Sequence, residues 1–522
     1  MHAKATRRAT TATLVAALVA PALALQRAPR PPRRSRRAPR ASALAPRASA
    51  QDLLGEGNAR YMNGDLDGAR TKYAEGAAIE AFTSERVDCL VNLASVELDR
   101  GAEAEAETLY RRALAEAVER GNFFHVDAAQ NLASLLQGQG GYERTREASL
   151  LYRDVVRADE DRWDAWCNLG AALVDAGAPK LDAIKCFQRG ITRAEALESD
   201  EAAPAELVRG IRASLADMYF GLGSCFADLD DDARLAAYGD GEILLTSYDE
   251  RVDLYEGGQA DADAAVAESA ANALRAAVEL RNGDFPLAKH ALETLAARSD
   301  GLAAPDRASP AFVKALFDDF APTFDDQLVG VLEYRAPELL AEAAAARVAE
   351  RGQSYASAFD AGCGTGLLGP PIRALVSGKL VGADLSGNMV ERAAALGCYD
   401  ALAVGDLNDK TCYADPAVAA AAPYDLVAAA DVLCYFGALD DVLALWAGIL
   451  RPGGDCIFSC ERAAGDREWV LGPTGRYAHA PDYVAAAAAR AGLACVSTTD
   501  IVPRVENGEA VPGTLYVLQK AP

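Results

Sequence analysis

Two hydrophobic spacings divide this chain. Over residues 51–300 apolar and small positions recur at helical spacing in short blocks punctuated by glycine. Beyond residue 305 the spacing changes to short apolar runs near 357–361, 379–384, 401–406, 424–430, 454–461, 493–502 and 514–520, most of them separated by helical stretches. Runs of that kind alternating with helices predict an α/β domain: a seven-stranded sheet, largely parallel, with helices on both faces. The last run follows its neighbour after a short Pro/Gly turn, which predicts an antiparallel hairpin at the sheet edge. The seam between the two patterns, 299–310, is rich in Ala, Pro, Asp and Ser, as linkers often are. The expected organisation is therefore an all-α domain over 51–300 and an α/β domain over 305–522.

The helical blocks are similar to one another. Trp166 is followed by Asn168-Leu169-Gly170, then Gly177, Ala183 and Phe187. Earlier copies are Leu93-Ala94 with Gly101, Ala106 and Tyr110, and Leu132-Ala133 with Gly140, Ala148 and Tyr152. Gly57, Gly64, Ala69 and Tyr73 make a first copy, and Gly283, Phe285 and Ala288 a last one. Small residues let paired helices approach, glycine makes the turn between them, and the aromatic fills the groove against the next pair. The pattern resembles tetratricopeptide repeats, stretched to 37–39 residues between successive turn glycines. That resemblance implies a docking face for a protein partner. Residues 195–260 are irregular, with only Leu222-Gly223 suggesting a repeat helix.

Composition changes the picture at the N-terminus. Residues 1–50 hold eleven Lys or Arg and no acid, although the whole chain carries a net charge of −24. The remaining residues hold 41 basic and 76 acidic side chains, a balance of −35. A body that acidic repels nucleic acid and anionic lipid, so neither is an expected partner. Leu14 to Leu25 is an apolar run suited to a signal-peptide core, followed by a basic Pro/Ala/Arg segment that cannot bury a core. The expected leader is a signal peptide over 1–24 and a transit-like segment over 25–50, with a mature chain that has no membrane span. The arrangement resembles the bipartite plastid presequence of algae with secondary plastids. Ala41-Ser42-Ala43-Leu44-Ala45-Pro46 is similar to its ASAFAP motif, with Leu for Phe and a more downstream position. A mitochondrial address is the alternative. The eleven cysteines form no CxxC pair and no zinc-spaced Cys/His cluster, so they are read as buried hydrophobes in a reducing compartment, with no metal site.

The chemistry gathers in 305–522. The first strand ends in Asp360-Ala361-Gly362-Cys363-Gly364-Thr365-Gly366, a turn that lets backbone approach a ligand. Asp384 ends the second strand, where a carboxylate can accept from both hydroxyls of a ribose. The dinucleotide fingerprint needs a small residue at 367, and this chain has Leu. Asp360 to Gly366, Asp384-Leu385-Ser386 with Met389, Gly405-Asp406-Leu407 and Asp425 to Phe436 resemble class I S-adenosylmethionine-dependent methyltransferases in order and spacing. Leu316-Phe317-Asp318, Phe320-Ala321-Pro322, Phe324-Asp325, Tyr334-Arg335-Ala336-Pro337, Gly475-Arg476-Tyr477-Ala478-His479 and Arg504 are similar to the predicted methyltransferases that carry N-terminal tetratricopeptide repeats.

The resemblance implies S-adenosylmethionine as cofactor and assigns roles. Gly362, Cys363, Gly364 and Gly366 would pass under its methionine part, Asp360 would orient its amino group and Asp384 would hold the ribose. Asp406 would accept from the adenine amine, with Leu385 and Leu407 flanking the ring. Met389 completes the expected cofactor set, and Asp431 would stand near the methionine end. A helix bearing Phe317 and Phe324 would form a lid. His479, Tyr435 and Tyr477 are nominated for the substrate pocket, and Arg476, Arg504 and Arg335 as clamps for a carboxylate or phosphate. Asp431-Val432-Leu433-Cys434-Tyr435-Phe436 replaces the Asn-Pro-Pro-Tyr motif of amino-directed nucleic-acid methylation. Two functions remain open: methyl transfer to a small-molecule or docked protein acceptor, and a repeat scaffold whose methyltransferase fold is not catalytic.

Overall fold

The computed structural model describes residues 48–200, 204–230, 233–234, 259–299, 304–321, 324, 334–506 and 509–521. The expected signal peptide and almost all of the transit-like segment lie outside these residues, as do 201–203, 231–232 and 235–258 of the irregular stretch 195–260. The described residues divide into two compact units, one ending at Met218 and the other running from Tyr219.

In the first unit, successive helices pack as pairs: Ala50–Met62 with Leu66–Ala77, Ser84–Asp99 with Glu103–Gly121, Val126–Gln139 with Tyr142–Ala158, and Trp163–Asp175 with Lys180–Glu198. Ser49 starts the first helix, accepting from Asp52 N while the Asp52 carboxylate accepts from Ser49 N. The turn glycines Gly101 and Gly177 adopt φ +79° and +66°, conformations that side-chain-bearing residues rarely adopt. The motif aromatics Tyr73, Tyr110, Tyr152 and Phe187 are buried. Gly57 explains the close approach: a Cβ there would lie 2.4 Å from the Tyr73 ring. The hydroxyls of Tyr110 and Tyr152 meet Ser95 and Ser134 at 2.9 and 2.8 Å, so the same polar contact recurs in successive pairs.

The second unit holds the sheet. Its strands are β1 (Tyr355–Ala361), β2 (Val376–Asp384), β3 (Ala401–Val404), β4 (Tyr424–Ala429), β5 (Leu450–Arg462), β6 (Trp469–Leu471), β7 (Tyr477–His479), β8 (Leu493–Ile501) and β11 (Gly513–Lys520); β9 (Val505–Glu506) and β10 (Glu509–Ala510) form a separate hairpin. Among the described residues the main sheet has nine strands rather than the expected seven. Seven lie in the order β3-β2-β1-β4-β5-β11-β8, while short β7 pairs with β5 and with β6. Strands β6 and β7 are three residues each, too short to leave a periodic signal. The last two long strands form the expected antiparallel hairpin at the sheet edge: β11 is antiparallel to both neighbours and lies between β5 and β8, so β8 is the outermost strand. Its composition fits, because β11 is buried on both faces at Leu515–Leu518 whereas most of β8 is exposed.

Helices Gln259–Leu280 and Pro286–Ser299, expected at the end of the repeats, belong to the compact unit of the sheet. The His290 ring stacks on Phe312 at 3.8 Å, and its Nε2 donates to the Gly475 carbonyl at 2.8 Å. The seam expected at 300–305 therefore runs inside this unit. No helix of the described residues is long and apolar enough to cross a membrane.

A buried carboxylate fastens helix Ala336–Arg351 to the sheet. Asp455 on β5 is fully buried and accepts from Arg347 at 3.1 Å, Arg351 at 2.8 Å and the Tyr355 hydroxyl at 2.9 Å. Removing one member of such a cluster strands buried charge and costs about 3–5 kcal/mol. Asp455→Ala should lose that much in denaturant unfolding of the full chain; a loss under about 1 kcal/mol would show that the cluster does not brace the sheet.

Candidate active site

The site forms where the strand order reverses. β1 pairs with β2 on one side and β4 on the other, so the loops leaving β1 and β4 diverge and open a crevice. The loop after β1 folds back on the end of β2: Gly362 N and Cys363 N both donate to the Ala383 carbonyl, at 2.8 and 3.0 Å. Gly362 adopts φ +75°, and a Cβ there would lie 2.5 Å from Val432 Cγ2 in the loop after β4. Gly364, at φ +53°, faces open space and lines the cavity. Its N–H donates to Asp384 Oδ2, and Ser386 N donates to Asp384 Oδ1, each at 2.9 Å.

The crevice is a cavity lined by Asp360, Gly362, Cys363, Gly364, Asp384, Leu385, Asp406, Leu407, Asp431 and Tyr435, all singled out from the sequence. Gly366 and Met389 do not line it. A Cβ on Gly366 would meet Leu396 at 2.7 Å, and Met389 is fully buried. Phe317 and Phe324 do line it. Helix Pro310–Phe320, capped by Ser309, sets Phe317 edge-on to Tyr435 with centroids 5.5 Å apart. The helix is tied to the segment after β2, because Ser386 Oγ donates to Asp318 Oδ1 at 2.6 Å and Asn388 Nδ2 to the Asp318 carbonyl at 3.0 Å.

Four carboxylates share this cavity and are held differently. Asp360 is buried and accepts from the Tyr399 hydroxyl at 2.6 Å. Burial, with some repulsion from Asp384, pushes its pKa up to about 7 despite that hydrogen bond. Burial also raises Asp384, against the pull of its backbone N–H donors. Burial alone would raise Asp406, but the bidentate Arg307 guanidinium outweighs it and holds the carboxyl below the usual range. Asp431 stands at φ +58°, rare for a residue with a side chain, and accepts from Arg504 at 2.6 Å. The same buried guanidinium bonds Glu461. Asp431, Cys434 and Glu461 bring potential ligand atoms within 4.8 Å of one another, and Arg504 supplies the cation between the two carboxylates.

Arg476 lines the cavity and hydrogen-bonds Tyr435. Arg335 does not reach it: the side chain is exposed and pairs with Glu338 at 3.7 Å. His479 and Tyr477 are likewise outside. The Tyr477 hydroxyl donates to the Pro305 carbonyl at 2.9 Å, and His479 Nε2 donates to the Phe436 carbonyl at 2.7 Å. Both therefore brace the wall rather than face the cavity, a correction to their nomination for the substrate pocket. Arg307, Tyr399 and Glu461 are site residues that the sequence reading missed. Arg307 and Tyr399 stand outside every recognisable motif, and Glu461 lies in a strand that reads as core.

Residues 359–456, from within β1 into β5, match a family described as a methyltransferase domain, and such a domain implies S-adenosylmethionine as cofactor. No curated protein matches the chain. Among solved structures it is similar to the Burkholderia thailandensis 1,6-didemethyltoxoflavin-N1-methyltransferase with bound 1,6-didemethyltoxoflavin and S-adenosylhomocysteine, at 18% identity and a TM-score of 0.33 over 42% of this chain and 94% of that one. It is also similar to magnesium protoporphyrin IX methyltransferase from Synechocystis with bound SAH, at 16% identity and a TM-score of 0.27 over 35% and 83%. A third is an S-adenosylmethionine-dependent methyltransferase from Clostridium acetobutylicum, at 15% identity and a TM-score of 0.29 over 40% and 99%. Likeness at that level assigns no residue.

Burial pushes the His479 pKa down to about 4, from an ordinary 6.5. The native state therefore binds fewer protons than the unfolded chain below pH 6.5. The stability this residue allows is complete above that pH and falls as pH drops towards 4, by up to about 3 kcal/mol. His479→Gln should flatten the stability profile between pH 6.5 and 4.5 relative to the native chain. An unchanged slope would place the titration elsewhere.

Proposed function

We propose that this chain transfers a methyl group from S-adenosylmethionine to a small-molecule or protein acceptor, and that residues 305–522 carry the reaction. The observation that carries this reading is the glycine loop pinned onto Asp384, in a cavity where Asp360 and Asp384 receive only neutral donors, which leaves it suited to a cationic ligand. When bound, the cofactor supplies a methyl group on a sulfonium, an electrophile that needs no activation by the protein. The chain's own residues then bind and align. Asp384 spends one acceptor position of each oxygen on a backbone N–H and keeps the others for the ribose diol. Asp360 meets the amino group, Asp406 the adenine amine, and Leu385 and Leu407 flank the ring. Phe317, Phe324 and Tyr435 cover the transfer point and exclude water, while Tyr435 and Arg476 orient the acceptor.

Among the described residues no histidine lines the cavity, and the Asp431 carboxylate is engaged by Arg504. The reading therefore favours an acceptor atom that attacks without a histidine base. The helix pairs ahead of the sheet, with their recurring glycine turns and buried aromatics, support the tetratricopeptide reading and a docking role for a protein partner. The basic leader supports an organellar address, a plastid first and a mitochondrion second. The competing reading is a repeat scaffold with a non-catalytic methyltransferase fold, and cofactor affinity separates the two.

Calorimetry on the full chain should detect S-adenosylhomocysteine binding. Asp384→Ala should weaken it by roughly 3–4 kcal/mol, on the order of a hundredfold or more, because two charge-assisted hydrogen bonds are lost. Exposed Glu342 is the control, and its alanine variant should bind normally. A folded Asp384→Ala protein with native affinity would sink this assignment. Affinity should also fall as pH drops below about 7, as Asp360 takes up a proton and loses its attraction for an ammonium group.

A further inference from the structure

Arg307 lies ahead of the lid helix, outside the strand–helix framework that builds the rest of the cavity. Its backbone is fastened across the loop after β4. Ala308 N donates to the Tyr435 carbonyl at 2.9 Å, Gly437 N and Ala438 N both donate to the Asp306 carbonyl at 2.8 Å, and Tyr477 holds the Pro305 carbonyl. This strap sets Arg307 opposite Phe436 as an isolated antiparallel bridge, with the guanidinium carbon 6.0 Å from the ring centroid. From there the guanidinium reaches across to Asp406, Nη1 to Oδ1 at 3.0 Å and Nη2 to Oδ2 at 2.6 Å. Both residues line the cavity.

We propose that Arg307 is a cofactor-site residue: it aims the Asp406 carboxylate at the exocyclic amine of adenine and so makes the site prefer an adenosyl ligand over an inosyl one. The inference rests on the methyltransferase reading above. A carboxylate offers about four acceptor positions. The Arg307 fork takes one on each oxygen, and Asn408 N takes a second on Oδ1 at 2.9 Å. One position remains, on Oδ2, in a pocket that Leu407 and Gly405 also line. A single fixed acceptor suits an amino group. A 6-oxo purine would point oxygen lone pairs at the same carboxylate, leaving both acceptors without a proton between them. The ion pair also keeps Asp406 ionised in a half-buried setting, so that it accepts and does not donate. An arginine that served only to hold the strap would have no bearing on which purine binds.

The test compares S-adenosylhomocysteine with S-inosylhomocysteine by calorimetry on the full chain. The native protein should favour the adenosyl ligand on the order of 10–100-fold, the range for a charge-assisted hydrogen bond. Arg307→Ala should weaken adenosyl binding on the order of tenfold and shrink the preference to within roughly threefold, with Arg307→Lys between the two. Asp406→Asn should also erase the preference, since its amide can rotate to donate to the 6-oxo group, and it leaves the strap's backbone bonds untouched. Native preference in a folded Arg307→Ala protein would overturn the proposal, as would tighter adenosyl binding, which would make the arginine an occluding residue. If neither Arg307 variant folds, a retained preference in Asp406→Asn overturns it. Failure of the native chain to bind either ligand would instead strike the methyltransferase reading, and this inference with it.

Discussion

The cavity depends on a loop that holds itself by its backbone. Gly362 and Cys363 give their N–H groups to one carbonyl at the end of β2, and Gly364 gives its own to the Asp384 carboxylate beside it. Left-handed φ at Gly362 and Gly364 makes this turn possible, and the contact with Val432 leaves no room for a methyl group at Gly362. The carboxylate placed to meet a ligand is thus also the anchor of the loop that shapes the site. Loop geometry and ligand affinity cannot be tuned independently here. The topology makes the crevice available at the switch between β2-β1 and β1-β4, and these hydrogen bonds give it a floor.

The same site solves a charge problem. Four carboxylates converge in one cavity lined largely by apolar side chains, where an unpaired buried anion would cost several kcal/mol. Asp406 and Asp431 are neutralised by Arg307 and Arg504. Asp360 and Asp384 receive only neutral donors, from Tyr399 and from backbone N–H groups, and burial raises their pKa values against those bonds. A cationic ligand would relieve those two. The division explains why an acid-rich pocket can remain folded when empty and still attract positive charge at one end.

Much of the α/β half was legible because its signals are local. A strand followed by Asp360-Ala361-Gly362-Cys363-Gly364 and an acid closing the next strand place ligand-facing groups by chain geometry alone, and the cavity gathers them. Signals failed where position depends on distant contacts. His479 has the right chemistry for a base, but β7 turns it into the wall against Phe436. Met389 sits at the expected spacing and faces the core. Arg307 is about a hundred residues from Asp406 in sequence, and no periodicity connects them. The seam near residue 300 was read from composition, which does not record that His290 reaches Phe312 and Gly475. The terminal hairpin was legible from its short turn, and the continuous apolar run Leu515–Leu518 fits β11 as its inner strand, covered on both sides.

The lid helix Pro310–Phe320 is moored at both ends. The strap and its Arg307–Asp406 pair hold the start, and Asp318 holds the end through Ser386 and Asn388. Lifting it away from the cavity requires several of these bonds to break together. The consequence is kinetic: any exchange of the cavity's contents that needs this helix to lift is no faster than the joint breaking of these bonds.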